Sequence, residues 1–257
     1  MADQALDAKD IELILEDQMG LTKDVPIIAH VRYRSIGPVR GEQAAVVAAL
    51  LAAADTVVMP AFTYQTQVIP QVGPPDNDIE YGTGDERNAK AQIFRSDMPV
   101  HPDCGSVAET LRKDAETLRS THPILSFVAQ GPRAREVLAS QTRSNPLGPI
   151  AWLEQKNGAV LLIGLDHRDN VALHLAAQRA GRKTYVRWAI TPDDIEELPN
   201  MPGPSDGFNQ IWTELLGVTR MAQIGMARAQ LVPLKEMLPY AEQRMREDVS
   251  FMMPTSL

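Results

Sequence analysis

The chain has 257 residues, with 33 acidic and 25 basic side chains that give a formal net charge of -8. This charge disfavours a surface that neutralises nucleic acid phosphates and suits a cationic ligand better. Hydrophobic residues at 44% and charged residues at 23% are typical of an ordinary soluble domain, neither disordered nor embedded in a membrane. The single cysteine, Cys104, excludes an internal disulfide and indicates a reducing compartment.

Length and hydropathy set the limits of the architecture. A single hydrophobic core grows to about 250 residues, so residues 1–257 are predicted to form one domain. The longest apolar run, residues 44–54, is shorter than the ~20 residues that cross a bilayer. The amino-terminal residues lack the basic and apolar regions of a signal peptide, so we expect a cytoplasmic protein.

The first third of the chain alternates between helical and strand patterns. Apolar residues at helical spacing predict a helix over residues 9–19, which is followed by a strand over residues 25–30. A glycine- and proline-rich turn at residues 37–41 leads into a small-residue helix over residues 42–54. A second buried strand is predicted over residues 56–60.

Residues 61–103 keep neither a helical nor a strand period, because prolines and glycines interrupt every apolar run. A connection of this length inside a compact domain is usually functional, so we expect it to cover the active-site cleft as a lid. Its acidic residues either attract a cationic amine to the cleft or form a solvated face of the loop. They include Asp76, Asp78, Glu80, Asp85 and Glu86.

The rest of the chain continues the alternation. Ser106 and Glu109 have the spacing of a capping box and predict a helix that begins there and ends near residue 115. Further strands are predicted over residues 124–130, 160–165 and 184–189, and helices over residues 132–140, 170–181, 208–216 and 234–246, with a loop at residues 191–207. Together these elements predict an α/β fold of three α/β/α layers, with helices flanking a central mixed sheet.

Several common motifs are missing from the sequence. It contains no phosphate-binding loop, no complete Gly-x-Gly-x-x-Gly fingerprint and no Gly-x-Ser-x-Gly nucleophile elbow. No pair of its histidines has the His-x-x-x-His spacing of a zinc protease, so we expect no metal. Cys104 would act as a nucleophile only beside a suitable base, and an ordinary buried thiol is the favoured interpretation.

Four separated segments nevertheless form a recognisable set in order and spacing. They are His30-Val31-Arg32-Tyr33-Arg34-Ser35-Ile36-Gly37-Pro38-Val39-Arg40-Gly41, followed by Val58-Met59-Pro60-Ala61-Phe62-Thr63-Tyr64; Gly105-Ser106-Val107-Ala108-Glu109, followed by Arg119-Ser120-Thr121-His122-Pro123 and Ser126; Ala159-Val160-Leu161-Leu162-Ile163-Gly164, followed by Asn170-Val171-Ala172-Leu173-His174; and Asp206-Gly207-Phe208, followed by Ile224-Gly225-Met226-Ala227. From about residue 10 to residue 240, the chain resembles the aminoglycoside 3-N-acetyltransferase family.

The resemblance implies transfer of an acyl group from acetyl-CoA to an amine of a small molecule, either aminoglycoside-like or of another kind. His174 matches the histidine that serves the family as general base. Family members commonly have a glutamate three residues later, and this chain has Ala177 there. Asp169 is the candidate replacement in the catalytic group, and Asp166 is a candidate for substrate binding. Helix capping is the alternative interpretation of both aspartates.

Binding residues also follow from the resemblance. The turn before the second helix would offer backbone amides and a helix dipole to the CoA pyrophosphate, and Arg40 would add a charged contact. Val31-Arg32-Tyr33 replaces the serines that usually follow the family histidine matched by His30. Tyr64 and Gln65 are candidates for the acceptor pocket. The residues predicted to bind the donor are His30, Ser35, Gly37, Val39, Arg40, Gly41, Arg119, Ser120 and His122.

These departures favour a divergent relative with another acceptor over a standard antibiotic-resistance enzyme. Two alternatives remain: another acyl reaction, such as hydrolysis or cyclisation, that uses His174, His30 or Cys104, and a small-molecule-binding protein without catalysis. In each case the expected partner is a small molecule, with no nucleic acid and no membrane. The sequence leaves open whether the chain forms a homodimer.

Overall fold

A central seven-stranded sheet organises the fold in the computed structural model, which describes residues 5–253. The strands are β1 (Ile27–Val31), β2 (Val57–Pro60), β3 (Gln67–Val68), β4 (Leu118–Arg119), β5 (Phe127–Gln130), β6 (Ala159–Ile163), β7 (Tyr185–Ile190), β8 (Ile195–Met201), β9 (Arg220–Ile224) and β10 (Ala227–Pro233). The central sheet has the order β4-β5-β2-β1-β6-β10-β9, and β3, β7 and β8 form a second sheet.

The helices surround this sheet. They are α1 (Ala8–Leu13), which continues into a π-helical turn over Ile14–Gln18, α2 (Glu42–Ala53), α3 (Asp85–Lys90), α4 (Gly105–Lys113), α5 (Ala134–Ala139), α6 (Gly148–Gln155), α7 (Leu173–Arg179) and α8 (Leu234–Glu247). Within residues 5–253, no helix has both the length and the hydropathy needed to span a bilayer.

The sheet is mixed, and its three central strands are parallel. β1 pairs in parallel with β2 and with β6, whereas the outer pairs of the sheet are antiparallel. A parallel pair needs a crossover, and α2 supplies it between β1 and β2. The carboxyl ends of β1, β2 and β6 therefore lie at one edge of the sheet, which is where α/β proteins usually bind their ligands.

Alternation along the buried strands separates the core into two layers. Ile28 of β1 belongs to the hydrophobic cluster that includes residues of α5, α6, α7 and α8. Its neighbours Ile27 and Ala29 belong to the cluster that includes residues of α1, α2 and α4. Successive side chains of a strand point to opposite faces, so each helical layer covers one face of the sheet. The predicted α/β/α fold with a central mixed sheet is confirmed.

The most strongly patterned elements lie close to their predicted positions. Helices α2 and α8 and strands β1, β2 and β6 each match a predicted segment to within a few residues. The carboxyl-terminal prediction over residues 208–216 is only partly right, because the regular structure there is a short 3-10 helix over Phe208–Ile211.

The segment 61–103 is not the irregular lid that the sequence predicts. It contains β3 and α3, and its middle packs against β7: Asn77 Oδ1 accepts a hydrogen bond from the Val186 amide at 2.8 Å, and the Phe94 amide donates to the Ile190 carbonyl at 2.9 Å. Only the two ends of the segment, near Tyr64 and Cys104, line the cleft described below.

Two other local predictions are wrong. The capping box does not form, because α4 begins at Gly105 and the Glu109 carboxylate instead binds Arg112 and the Val100 amide. The predicted loop at residues 191–207 contains β8, which includes Pro199. β8 lies at the edge of its sheet, where a residue without an amide hydrogen is tolerated.

Candidate active site

A cleft of about 460 Å³ opens at the carboxyl ends of the three parallel strands. β1 contributes His30, β2 ends there at Pro60, and Leu165 follows β6. The amino-terminal part of α7 contributes His174. The cleft is therefore positioned by the rigid centre of the sheet, and it brings together two histidines that are far apart in the sequence.

His174 is the second residue of α7, and a buried turn positions it. Asn170 Oδ1 accepts a hydrogen bond from the Ala172 amide at 3.1 Å, which directs the chain into the helix. The imidazole packs on the Phe208 ring with 4.8 Å between the ring centroids. Burial lowers the pKa of His174 to about 4, so at neutral pH the imidazole is uncharged and can accept a proton.

His30 lies near the end of β1 and is only 7% exposed. Among the described residues, its Nε2 atom is buried and has no hydrogen-bond partner. Burial lowers its pKa to about 3, so this histidine is also neutral. A neutral, unsatisfied imidazole in the wall of a cleft can donate to or accept from a bound ligand.

One wall of the cleft depends on a glycine. Gly105 begins α4 with φ +83°, and a Cβ atom there would lie 2.9 Å from the Val31 carbonyl oxygen. This left-handed backbone and close approach require glycine. They bring the start of α4 against the end of β1, and residues from both elements line the cleft.

Cys104 and Tyr64 form an uncharged wall. The Cys104 sulfur accepts a hydrogen bond from the Phe62 amide at 3.3 Å, and burial raises the pKa of the thiol to about 12. Burial also raises the pKa of Tyr64, whose ring packs on His101. The nucleophilic form of cysteine is the thiolate, so this environment disfavours Cys104 as a nucleophile.

The two candidate aspartates have different positions. Asp169 lines the cleft, burial raises its pKa, and Arg32 lies across from it with 3.7 Å between Nη2 and Oδ2. Asp166 accepts from the Arg168 amide at 2.9 Å and pairs with the Arg168 guanidinium, which lowers the pKa of its carboxyl. The capping interpretation therefore holds for Asp166, which does not line the cleft.

The predicted turn for the CoA pyrophosphate lies outside the residues that line the cleft. Gly37 packs against Met226, and Ser35 packs against Gly164. Arg40 forms an ion pair with Asp7 at 3.7 Å. Val39 bridges to Leu6 in the amino-terminal segment, and Gly41 precedes α2 with φ +87°. These residues could therefore contact only a part of the donor that extends beyond the cleft.

The candidate side chains Arg119, Ser120 and His122 bind the surrounding backbone and do not face the cleft. Arg119 donates hydrogen bonds to the carbonyls of Ala61, Ser96 and Met98 and to the Ser126 hydroxyl. Ser120 Oγ accepts from the Phe127 amide at 2.8 Å, and His122 Nδ1 accepts from the Leu125 amide at 3.0 Å. Gln65 likewise donates to the Pro99 carbonyl at 3.0 Å. None of these side chains lines the cleft in residues 5–253.

Replacement of Arg119 by alanine should therefore lower the free energy of unfolding, because buried carbonyls lose charged donors. We expect a loss of about 3 kcal/mol, or about 10 °C in melting temperature for a chain of this size. Arg95→Ala is the matched control, since its ion pair with Asp97 is exposed and should contribute less than about 1 kcal/mol. Unchanged stability together with weaker CoA binding would instead indicate a donor contact.

Sequence reasoning missed several residues at the cleft. Asp103, Gly105 and Arg168 line it, and Phe208 packs on His174. The carboxyl ends of the predicted parallel strands are the signal that could have drawn attention to this edge. The five acidic residues between positions 76 and 86 do not line the cleft; Asp78 and Glu80 line a small separate pocket. Within residues 5–253, no group of three or more potential ligands could hold a metal ion.

A profile described as aminoglycoside 3-N-acetyltransferase matches residues 28–246. The match includes all three parallel strands, the cleft and α7. The chain belongs to the aminoglycoside 3-N-acetyltransferase family.

Individual members of the family are distant relatives. YokD of Bacillus subtilis (strain 168), a prophage-derived aminoglycoside N(3')-acetyltransferase-like protein, is 29% identical over an alignment of 246 residues that covers 87% of this chain and 87% of that protein. Aminoglycoside N(3)-acetyltransferase IV of a Salmonella species is 29% identical over 164 residues, which cover 62% of this chain and about half (54%) of that protein. Membership of this family supports an acetyltransferase function.

Solved structures of the family share the fold over nearly the whole chain. The crystal structure of YokD from Bacillus subtilis superposes with a TM-score of 0.83 and 23% identity, over 96% of this chain and 95% of that one. The structure of AAC-IIIb in a binary complex with CoASH gives a TM-score of 0.77 and 23% identity, over 98% and 100% of the two chains. At this identity the likeness concerns the fold alone.

Proposed function

We propose that this family member transfers an acyl group from acetyl-CoA, or from a related thioester, to an amine of a small molecule, with His174 as the general base. The observation that carries the proposal is the position of His174 in the cleft at the carboxyl ends of the parallel strands. Family membership supports the reaction class, and one relative of the same fold is a complex with CoASH.

The chemistry requires the attacking nitrogen to lose a proton. The nitrogen attacks the thioester carbonyl carbon and forms the C–N bond, and the carbonyl oxygen takes the negative charge of the tetrahedral intermediate. His174 is neutral at pH 7, because burial lowers its pKa to about 4, and it takes the proton from that nitrogen. The C–S bond then breaks, and the proton passes from His174 to the departing thiolate.

Charged groups at the cleft fit the donor. The side chains of Arg32 and Arg168 line the cleft and are 57% and 61% exposed. Guanidinium groups bind phosphate oxygens well, because their donors match the geometry of the anion. We propose that these two arginines contact the CoA phosphates. The cleft volume suits the reacting ends of the two substrates, and the adenosine end of CoA would lie outside.

The acceptor should be a small amine that carries few charges. Asp103 and Asp169 are the carboxylates that line the cleft, and Asp169 is already paired with Arg32. Because the acidic residues between positions 76 and 86 lie elsewhere, the cleft offers a polycation few carboxylates. Tyr64 supplies a flat, partly apolar surface for the body of the acceptor.

Release of CoA thiol tests the proposal. Purified protein should release thiol from acetyl-CoA when a panel of small amines is added, and it should release much less without an amine. Calorimetry should show binding of CoA in the micromolar range that enzymes commonly have for their substrates, about 1 μM–1 mM. Absence of CoA binding at about 1 mM would contradict the proposal, as would thiol release that does not depend on the amine.

A further inference from the structure

A second cavity of about 490 Å³ lies beside the cleft and shares His174 with it. It is bounded by the carboxyl-terminal half of α7, the beginning of β7, the end of α8 and the residues that follow α8. The two cavities have no other lining residue in common among the described residues. The second cavity is therefore a separate site next to the proposed base.

Small side chains on α7 leave this space open. Ala177 and Ala180 line the cavity, and Gly181 follows the helix. The floor is apolar, and its residues are each less than 9% exposed. These floor residues are Leu147, Ala177, Phe208 and Met245. A concave apolar surface of this kind binds the hydrophobic body of a small ligand.

The charges at this cavity all have one sign. Arg182, Lys183 and Arg246 line it, and no aspartate or glutamate is among its lining residues in the described part of the chain. This asymmetry stands out in a chain with a net charge of -8. By contrast, the neighbouring cleft has two aspartates and two arginines. A concave site lined by cations concentrates anions.

The three cations differ in the hydrogen bonds and ion pairs that they already make within the protein. Arg182 donates to the carbonyls of Phe251 and Met252, and Arg246 pairs with Glu242 at 2.7 Å. Lys183 is exposed, its Nζ atom lies 5.6 Å from the centre of the Tyr185 ring, and no carboxylate of residues 5–253 lies within 4.0 Å. Lys183 is therefore the cation that is best placed to hold a ligand anion.

We propose that the second cavity binds a small organic carboxylate with an apolar body, whose charge is held by Lys183 with support from Arg182. The apolar floor would hold the body of the ligand, and Lys183, which has no carboxylate within 4.0 Å among residues 5–253, would hold its anionic group. This site is distinct from the acyl-transfer cleft, and its ligand would lie beside His174.

Calorimetry with a matched pair of probes tests the proposal. Phenylbutyrate and its neutral amide, phenylbutyramide, have nearly the same shape and differ in charge. We expect the carboxylate to bind at least about tenfold more tightly than the amide, since one favourable charge contact in a partly exposed site is worth about one power of ten. Raising the salt concentration to about 0.5 M should weaken the binding of the carboxylate but not that of the amide, because salt screens exposed charges.

Variants locate the binding site. Lys183→Gln should remove most of the difference between the two probes, whereas Lys90→Gln, on the exposed helix α3, should leave it unchanged. Ala177→Leu should weaken the binding of both probes, because the larger side chain occupies space above the apolar floor of the cavity. A melting curve of each variant shows whether it is folded. Since Lys183 is exposed, its variant remains informative even if Ala177→Leu does not fold.

Three results would overturn the proposal. The first is no heat of binding for phenylbutyrate at about 10 mM, and the second is equal affinity for the two probes. The third is competition with CoA, which would assign the cavity to the anionic groups of the donor. Because neither probe is an amine or a thioester, the measurement does not depend on acyl transfer, and it can succeed or fail separately from the proposed function.

Discussion

Replacement of His174 by alanine should lower the rate of acyl transfer by about two to four orders of magnitude, which is the usual contribution of a general base. The reason is local, because His174 is the neutral imidazole that sits both in the cleft and on the Phe208 ring. The measurement is kcat/KM for thiol release with acetyl-CoA and the best amine of the panel. The melting temperature and the affinity for CoA should change little, since His174 is not needed to hold the donor.

Two further variants make this result specific. His174→Gln keeps a polar side chain of similar reach but cannot take a proton at neutral pH, so it should be nearly as inactive as His174→Ala. Gln178→Ala lies on the same helix and lines the second cavity rather than the cleft, so its turnover should be close to that of the unmodified protein. Turnover by His174→Gln above about a tenth of the original rate would show that another group removes the proton.

The pH dependence of the acyl-transfer rate in the unmodified protein is a second test of His174 as the general base. Because burial lowers the pKa of His174 to about 4, this residue is already neutral throughout the neutral range. The rate should then rise with pH as the acceptor ammonium loses its proton, and the midpoint should shift with the pKa of the amine offered. An inflection near pH 6.5, the ordinary pKa of histidine, that is the same for every amine would contradict this assignment.

The centre of the fold could be predicted because its sequence is unambiguous. β6 is a continuous apolar run and β1 is apolar except for His30, as expected for strands that are buried on both faces. Helix α2 is a run of mostly small, helix-forming residues. The edges could not be predicted in the same way. β3 and β4 have two residues each, which is too short for any period, and their pairing depends on tertiary contacts. α6 begins with Gly148-Pro149, which is typical of a turn.

The residues of the candidate site could also be predicted only in part. The structure brings four of the candidate residues, His30, Tyr64, Asp169 and His174, to one cleft. Arg119, which was predicted to bind the donor, does not line this cleft. That residue belongs to the family's pattern, but its guanidinium points to buried carbonyls, and the direction of a long side chain is decided by partners more than twenty residues away in sequence.

Four histidines whose pKa values are lowered by burial should make the protein sensitive to mild acid. His30, His122 and His167 are 7%, 1% and 0% exposed, and burial lowers their pKa values to about 3, 3 and 4. Burial lowers the pKa of His174 to about 4 as well. In the unfolded chain each would titrate near pH 6.5. Below that pH the unfolded state binds more protons than the folded state, so stability is complete above about pH 6.5 and falls as the pH decreases toward 4.

The expected size of this effect follows from proton linkage. Each buried neutral histidine contributes a slope of about 1.4 kcal/mol per pH unit, so the four of them should lower the free energy of unfolding by about 5 kcal/mol between pH 6 and pH 5. Carboxylates that are stabilised in the folded state, such as Asp166 and Glu109, titrate at lower pH and steepen the loss only below this window. Urea unfolding at a series of pH values measures the slope.

The variant His122→Asn isolates the contribution of one of the four histidines. His122 Nδ1 accepts from the amides of Ile124 and Leu125, and an asparagine Oδ1 can accept in the same place. Above pH 7 the variant should differ from the unmodified protein by a constant amount of stability. Between pH 6 and pH 5 its slope should be smaller by about one proton, or 1.4 kcal/mol per pH unit. Parallel curves for the two proteins across this window would show that His122 is not held neutral by burial.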